Sequence, residues 1–185
     1  MKIFKILKKL ILYFIMYFKG GVYYAKSIGV KVGNDCRVYT TNFGSEPFLI
    51  TIGNNVTVTS GVKFITHDGT TWLMRDEKGR RYFYQRISIG NNVFIGVNCV
   101  IMPGVKIEDN VIIAAGSVVT KSIPKGVIVA GVPAKIIGNF EEIKTRMLSD
   151  YVSDKEINLQ LPYEERILKV VSNGYKKYLK VWIKS

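Results

Sequence analysis

IGNNVFIGVNCVIMPGVKIEDNVIIAAGSVVTKSIP, residues 89–124, divides into six blocks of six. Each block begins with an aliphatic residue: Ile89, Ile95, Ile101, Ile107, Ile113 and Val119. The fifth place is small or aliphatic: Val93, Cys99, Val105, Val111, Ser117 and Ile123. Places two to four are rich in Gly, Asn, Asp, Ala and Pro. Six is not a helical period, and the apolar residues do not alternate strictly over long runs. A short strand followed by a tight turn accounts for both facts. The strand points its aliphatic residue inward, and the Gly/Asn-rich remainder tolerates positive φ at a corner. Three blocks close a triangular coil, and successive coils stack through parallel ladders about 4.8 Å apart. Such a chain buries its core only by stacking neighbours, so the expectation is an all-β parallel solenoid. An ordinary sandwich would need six consecutive coincidences of frame.

The same frame extends upstream. IGNNVT (52–57), VTSGVK (58–63) and FITHDG (64–69) share it, and VGNDCR (32–37) is a weaker copy with Val32, Cys36 and Val38 in register. It is then lost over 70–88 and returns at Ile89. His67, the only histidine, stands immediately before the break. The interrupting stretch holds Trp72, Tyr82, Phe83, Tyr84 and four arginines, Arg75, Arg80, Arg81 and Arg86. A repeat-free loop of this length points to function or to a lid. A stiff scaffold that fixes a base, beside a loop that covers a substrate, suits catalysis.

Composition supports a packed domain with an appendage: 185 residues, 48% hydrophobic, 17 glycines. The net charge of +13 is uneven. Residues 1–31 carry seven lysines and no acid, residues 32–120 are nearly neutral, and residues 121–185 hold twelve basic and seven acidic groups. The excess therefore lies at the ends. No nucleic-acid-binding motif accompanies it, so an anionic ligand or a negatively charged membrane surface is the expected partner, and nucleic acid is not. Cys36 and Cys99 are far apart and fit neither metal spacing nor a disulfide framework; they read as reduced core thiols of a cytosolic protein. Asn34, Asn54, Asn91 and Asn98 read as corner residues.

MKIFKILKKLILYFIMYFKG opens the chain. On a helix Lys2, Lys5, Lys8 and Lys9 gather on one side, and Ile3, Leu7, Leu10, Ile11, Phe14 and Phe18 cover the other. The uncharged run Leu10–Phe18 is nine residues, against about 20 needed to span a bilayer. No small-x-small cleavage site follows it. The preferred reading is a helix lying in the membrane interface, at the inner face of the membrane of a cytoplasmic protein. Packing of the apolar side on the protein's own core or on another subunit is the alternative. After Gly138 the repeat ends, and 141–152 and 162–183 read as helices joined by a polar link near 153–160. Ile167, Leu168, Val171, Tyr175, Tyr178, Leu179 and Trp182 give the second an apolar face suited to capping the open end of the coil. The expected organisation is an N-terminal basic, apolar helix (1–27), a β-solenoid (28–138) with an inserted loop (69–88), and a helical extension (139–185).

Residues 28–138 resemble the hexapeptide-repeat acyltransferases, and within them the branch that O-acetylates sugars. The hexads, THDGTTW (66–72) and AAGSVVTKSIPKGVIVAGVPAKIIG (114–138) carry the resemblance. Ala114 departs from it, since relatives often have Gly there. The resemblance implies a left-handed parallel β-helix, a handedness that periodicity alone does not give and that breaks the usual crossover rule. It implies acetyl-coenzyme A as co-substrate, no metal, and a homotrimer with active sites between subunits. It assigns His67 as general base toward a sugar hydroxyl. It places the coenzyme against Val97, Ala115, Thr120, Lys121 and Lys135, the small residues admitting the pantetheine arm and the lysines neutralising phosphates. Asp68 is a candidate partner for His67. Adjacent strand residues point to opposite faces, so a turn or acceptor-contacting role stands beside that one. Trp72 is a candidate acceptor contact. The functional expectation is acetyl transfer to a sugar hydroxyl in surface polysaccharide or glycan biosynthesis. An N-acetyltransferase of a nucleotide-linked amino sugar and a non-catalytic scaffold are the alternatives. A zinc hydrase is excluded because it needs three histidine ligands. A nucleotidyltransferase is disfavoured because no Gly-rich αβ domain precedes the repeats.

Overall fold

The computed structural model describes residues 2–172 and 174–177. After helix α1 (Lys2–Ser27) the chain lays down β1 (Lys31–Val32), β2 (Arg37–Val38), β3 (Ile50–Ile52), β4 (Val56–Val58) and β5 (Lys63–Phe64). An excursion follows, with a 3-10 turn at Gly69–Leu73 and a hairpin of β6 (Arg75–Asp76) and β7 (Gly79–Arg80). Regular strands resume as β8 (Ile87–Ile89), β9 (Val93–Ile95), β10 (Val100–Ile101), β11 (Lys106–Ile107), β12 (Val111–Ile113) and β13 (Val118–Val119). They end with β14 (Val127–Ala130) and β15 (Lys135–Asn139).

These strands sort into three parallel ladders that the chain visits in rotation. The first runs β1-β3-β8-β11, the second β2-β4-β9-β12-β14, and the third β5-β10-β13. Ile89 pairs with Ile107, Ile95 with Ile113 and Ile101 with Val119, so each rung advances 18 residues. Ile52 pairs with Ile89, a step of 37 residues rather than 18, so the excursion adds 19 without disturbing register. Every first-place aliphatic of the six hexads is at most 2% exposed. Ser117 occupies a fifth-place slot at 0% exposure, where its hydroxyl donates to Ala114 O at 2.6 Å and accepts from Gly131 N at 3.2 Å. A buried hydroxyl is tolerated there because both its roles are satisfied.

The corners show why these residues make this coil. Asn55, Asn92 and Asn110 hold φ between 52° and 57°. Their carboxamides run as a ladder, Asn55 donating to Asn92 at 2.9 Å and Asn92 to Asn110 at 3.0 Å. A Cβ on Gly53 would lie 2.5 Å from Gly90 O, so these two rungs stack only because residue 53 lacks a side chain. Asn34, Asn54 and Asn91 stand one place ahead of the positive-φ corner, and Asn98 is itself at φ 59°. The side-chain oxygens of Asn54 and Asn91 accept backbone N–H groups of the rung below at 2.8 Å. Cys36 and Cys99 are free thiols; burial pushes the Cys99 thiol up. Ile101, 0% exposed at the centre of the third ladder, tests the packing. Ile101→Ala should lower unfolding free energy by about 2–5 kcal/mol, read by denaturant titration, because the close-packed prism cannot collapse onto the void.

The open edge of the second ladder is covered by β15, antiparallel to β14. The chain divides into two compact units, Met1–Lys144 and Thr145–Ser185. Helix α2 (Phe140–Asp150) starts in the first. Within the second, α3 spans only Tyr163–Val170, shorter than the 162–183 expected. Val171 turns to φ −66°, ψ 130°, and the Ser172 hydroxyl accepts from Gly174 N at 3.3 Å. β-Branched Val170 and Val171, followed by Ser, Asn and Gly, favour a turn over another helical turn. Tyr178, Leu179 and Trp182 lie outside the described residues.

Candidate active site

His67 follows β5 at the edge of the third ladder. Its backbone is fixed from both sides by the returning strand of the excursion: Asp68 N donates to Phe83 O at 3.1 Å and Gln85 N to Thr66 O at 2.8 Å. His67 is therefore tied to the returning end of the inserted segment.

Its side chain meets a carboxylate from the preceding rung. His67 Nδ1 lies 2.9 Å from Glu46 Oε2, and the hydroxyl of Thr66, 1% exposed, donates to the same oxygen at 2.6 Å. Glu46 precedes a short 3-10 turn (Pro47–Leu49), whose Leu49 N bonds Glu46 O at 3.0 Å and turns the side chain loose from the local backbone. Burial alone would raise the Glu46 pKa. Hydrogen bonds from Thr66 and His67, with the attraction of His67, outweigh it and hold the group below its ordinary 4.5. An ionised carboxylate only accepts hydrogen bonds, so the proton of neutral His67 sits on Nδ1 and Nε2 keeps its lone pair. The imidazole is 39% exposed and Glu46 only 16%, so the ring presents outward over a sheltered acid.

Asp68 does not share this arrangement. Its carboxylate accepts from Thr70 Oγ1 at 2.7 Å and Thr70 N at 2.8 Å, capping the 3-10 turn, and these bonds hold its pKa below the ordinary 3.8. Of the two readings for Asp68, its bonds match the turn role, and the carboxylate that meets His67 is that of Glu46; alternation along the strand sends residue 68 to the other side.

Aromatic and cationic groups of the excursion form one continuous stack. The guanidinium carbons of Arg75 and Arg80 lie 4.7 and 4.6 Å from the Trp72 ring, and Arg80 is also 4.6 Å from Tyr82. Tyr82 stacks on Tyr84 at 6.3 Å, and Tyr84 lies 5.9 Å from the His67 ring. Arg81 is paired with Asp76. Trp72 is therefore separated from His67 by Arg80, Tyr82 and Tyr84, and Tyr84 is the aromatic neighbour of the base.

The five residues assigned to the donor lie on the outside of the later rungs. Ile95 pairs with Ile113, so Val97 and Ala115 stand at equivalent corner places; Gly116 N donates to Val97 O at 2.8 Å. Thr120 and Lys121 follow β13 directly. Lys135 opens β15, next to Ala134, whose N–H donates to Val118 O at 2.9 Å. All five are exposed. Thr120 is two ladder steps above the His67 rung, about 10 Å along the coil. Small side chains at 97 and 115 with cations at 121 and 135 fit a ligand with a slender arm and phosphates.

Residues missed by sequence reading are Glu46 and Tyr84. Glu46 had one signal: it is the only acid between Asp35 and Asp68, in a stretch where the hexad frame weakens.

Residues 86–121 match the family model described as the hexapeptide repeat of succinyl-transferase. The chain is 52% identical to protein CapG of Staphylococcus aureus over 136 residues, covering 72% of this chain and 79% of that one. It is 36% identical over 139 residues to galactoside O-acetyltransferase of Escherichia coli (strain K12), spanning 74% of this chain and 65% of that protein. Among solved structures, a hexapeptide-repeat-containing acetyltransferase from Vibrio cholerae is similar, with 28% identity and TM-score 0.51 over 60% of this chain and 63% of that one. An in-frame repeat, three rotating parallel ladders and these extended similarities together make this chain a member of the hexapeptide-repeat acyltransferase family.

Proposed function

We propose that this chain transfers the acetyl group of acetyl-coenzyme A to a sugar hydroxyl, in the biosynthesis of a surface polysaccharide or other glycan. The observation that carries the proposal is the 2.9 Å contact of His67 Nδ1 with Glu46 on a rung reached by a ladder of exposed donor-site residues. The hydroxyl oxygen attacks the thioester carbonyl while Nε2 of His67 takes its proton. The carbon–sulfur bond then breaks, and the imidazolium returns the proton to the leaving thiolate. No acyl-enzyme is needed, because both substrates sit together and positioning supplies much of the rate. Glu46 keeps the tautomer correct and favours the imidazolium as it forms. Val97, Ala115 and Thr120 flank the pantetheine arm, and Lys121 and Lys135 face the phosphates. The O-acetyl reading is supported by the galactoside O-acetyltransferase likeness, which extends over 139 residues.

Rotation through three ladders with 18-residue rungs supports a three-sided parallel β-helix, and membership of the hexapeptide-repeat family supports its left hand. The outward placement of the donor residues supports a homotrimer whose grooves lie between subunits. The basic, apolar N-terminus supports a cytoplasmic enzyme held peripherally at the inner membrane face through residues 1–20. Among the described residues, no helix is long and apolar enough to cross a membrane.

Incubation with acetyl-coenzyme A and a panel of mono- and oligosaccharides tests the chemistry. Thiol release that depends on a sugar, with a product 42 mass units heavier that loses its acetyl group in mild base, is the expected result of adding one acetyl ester (roughly 42 by the chemistry of the step). A base-stable amide product would replace the O-acetyl reading with N-acetyl transfer. No sugar-dependent consumption of the thioester would leave a scaffold.

A further inference from the structure

Helix α1 changes character at Gly20. Beyond it the helix is clamped to the first rung: a Cβ on Gly21 would lie 1.9 Å from Val38 O, Ala25 is 0% exposed, and Val22 and Tyr24 pack against the core. At Gly20 itself φ is +80° and ψ 173°, which interrupts the helix, and a Cβ there would meet nothing within 4 Å. The half-buried joint therefore leaves its side-chain position open rather than wedged against the coil. Before it, Leu7, Leu10, Ile11, Phe14, Tyr17 and Phe18 are each 50–75% exposed. Spacings of three and four place them on one stripe. The stripe is already ordered: Phe14 stacks on Phe18 at 6.0 Å, and Tyr17 meets Phe18 edge-on at 5.0 Å.

We propose that this stripe is a docking surface for an anionic lipid bilayer, lying in the interface ahead of the Gly20 joint while the clamped half carries the coil. The inference rests on the peripheral membrane reading above and gives it a surface, a lipid class and a joint. Charge selects the occupant. Residues 1–31 carry seven lysines and no acid, so a second copy of the segment offers nothing to neutralise them, whereas an anionic surface does. Aromatics and leucine or isoleucine on one side, with lysines in the same segment, match what an interfacial helix needs, and the uncharged run is too short to span.

Flotation of the full chain with vesicles tests the proposal. Phosphatidylglycerol-rich vesicles should recover the protein, phosphatidylcholine vesicles should not, and high salt should weaken recovery. The double variant Phe14→Ser, Phe18→Ser should lose at least about 100-fold in vesicle affinity, since two ring burials are removed. Both rings are exposed and far in sequence from the acetylation site, so transfer to a soluble sugar should be unchanged. Equal flotation of the double variant, or equal recovery on neutral vesicles at all salt concentrations, overturns the proposal. So does a variant that floats normally but changes oligomeric state, which would assign the stripe to a second copy. Normal lipid-dependent flotation with no acetyl transfer leaves the docking surface standing and removes the enzymatic reading instead.

Discussion

His67→Ala should cut acetyl transfer by at least about 100-fold in kcat, with little change in the Michaelis constant for acetyl-coenzyme A. The size follows from the nucleophile. A sugar hydroxyl is a weak nucleophile near neutrality, and removing the group that takes its proton during attack forfeits a general-base contribution of roughly 10²–10⁴. The separation of kcat from KM follows from placement, because the donor residues are on later rungs and the variant leaves them untouched. His67 is the only imidazole in the chain, so no second one can substitute. The coil should survive, since the ring is 39% exposed and its rung is held by the Asp68–Phe83 and Thr66–Gln85 backbone bonds. A variant within about threefold of the parent, correctly folded by circular dichroism, would remove His67 from the chemistry.

What the hexads say about this fold is unusually direct, and the reason is that inward places recur at a fixed period. Ile89, Ile95, Ile101, Ile107, Ile113 and Val119 could be named as core before any coordinates because each repeats the same local geometry. Their first neighbours in space are 18 residues away, a separation that the pattern itself supplies. The position of His67 at the break is legible for the same reason: an interruption is visible only against a regular frame. Glu46 lies outside that logic. It approaches His67 across 21 residues through a non-repeating turn, and nothing in FGSEPF encodes the direction of its side chain. Asp68, adjacent in sequence, looks the better partner until the local turn claims its carboxylate through Thr70. The strands also resume earlier than the hexad frame suggested, at Ile87, 1% exposed, because the residue two places ahead of a hexad start can share its inward face. The shorter α3 is a different kind of miss: apolar spacing continues past Val170, but Ser-Asn-Gly competes locally and wins.

Glu46→Gln should lower kcat by roughly 10- to 1000-fold, less than loss of the ring itself, while leaving acetyl-coenzyme A affinity close to the parent's. Glutamine keeps the volume, so packing is nearly preserved, but the one oxygen that meets both Thr66 and Nδ1 becomes either the carboxamide oxygen or its NH2. What changes is the partner of Nδ1. The carboxylate accepts only, which forces the Nδ1–H tautomer; the carboxamide can donate instead, which moves the proton to Nε2 and blocks the lone pair needed for catalysis. The charge that stabilises the imidazolium during transfer is lost as well. Glu46→Asp tests geometry separately, since it keeps the charge but shortens the reach. It should retain more activity than the amide if charge matters most. The pH dependence discriminates positioning from a merely structural role. Because the native-state pKa of Glu46 is depressed below 4.5, its stabilising interactions are complete above that pH and are lost as pH falls through the lower folded value. Near neutrality the parent's Glu46 is therefore ionised and meets His67 Nδ1 as a charge. The glutamine variant lacks that carboxylate, so its unfolding free energy should change less than the parent's as pH falls below 4.5, while its kcat is already reduced near neutrality. An unchanged kcat in the glutamine variant would mean that the 2.9 Å contact has no part in catalysis.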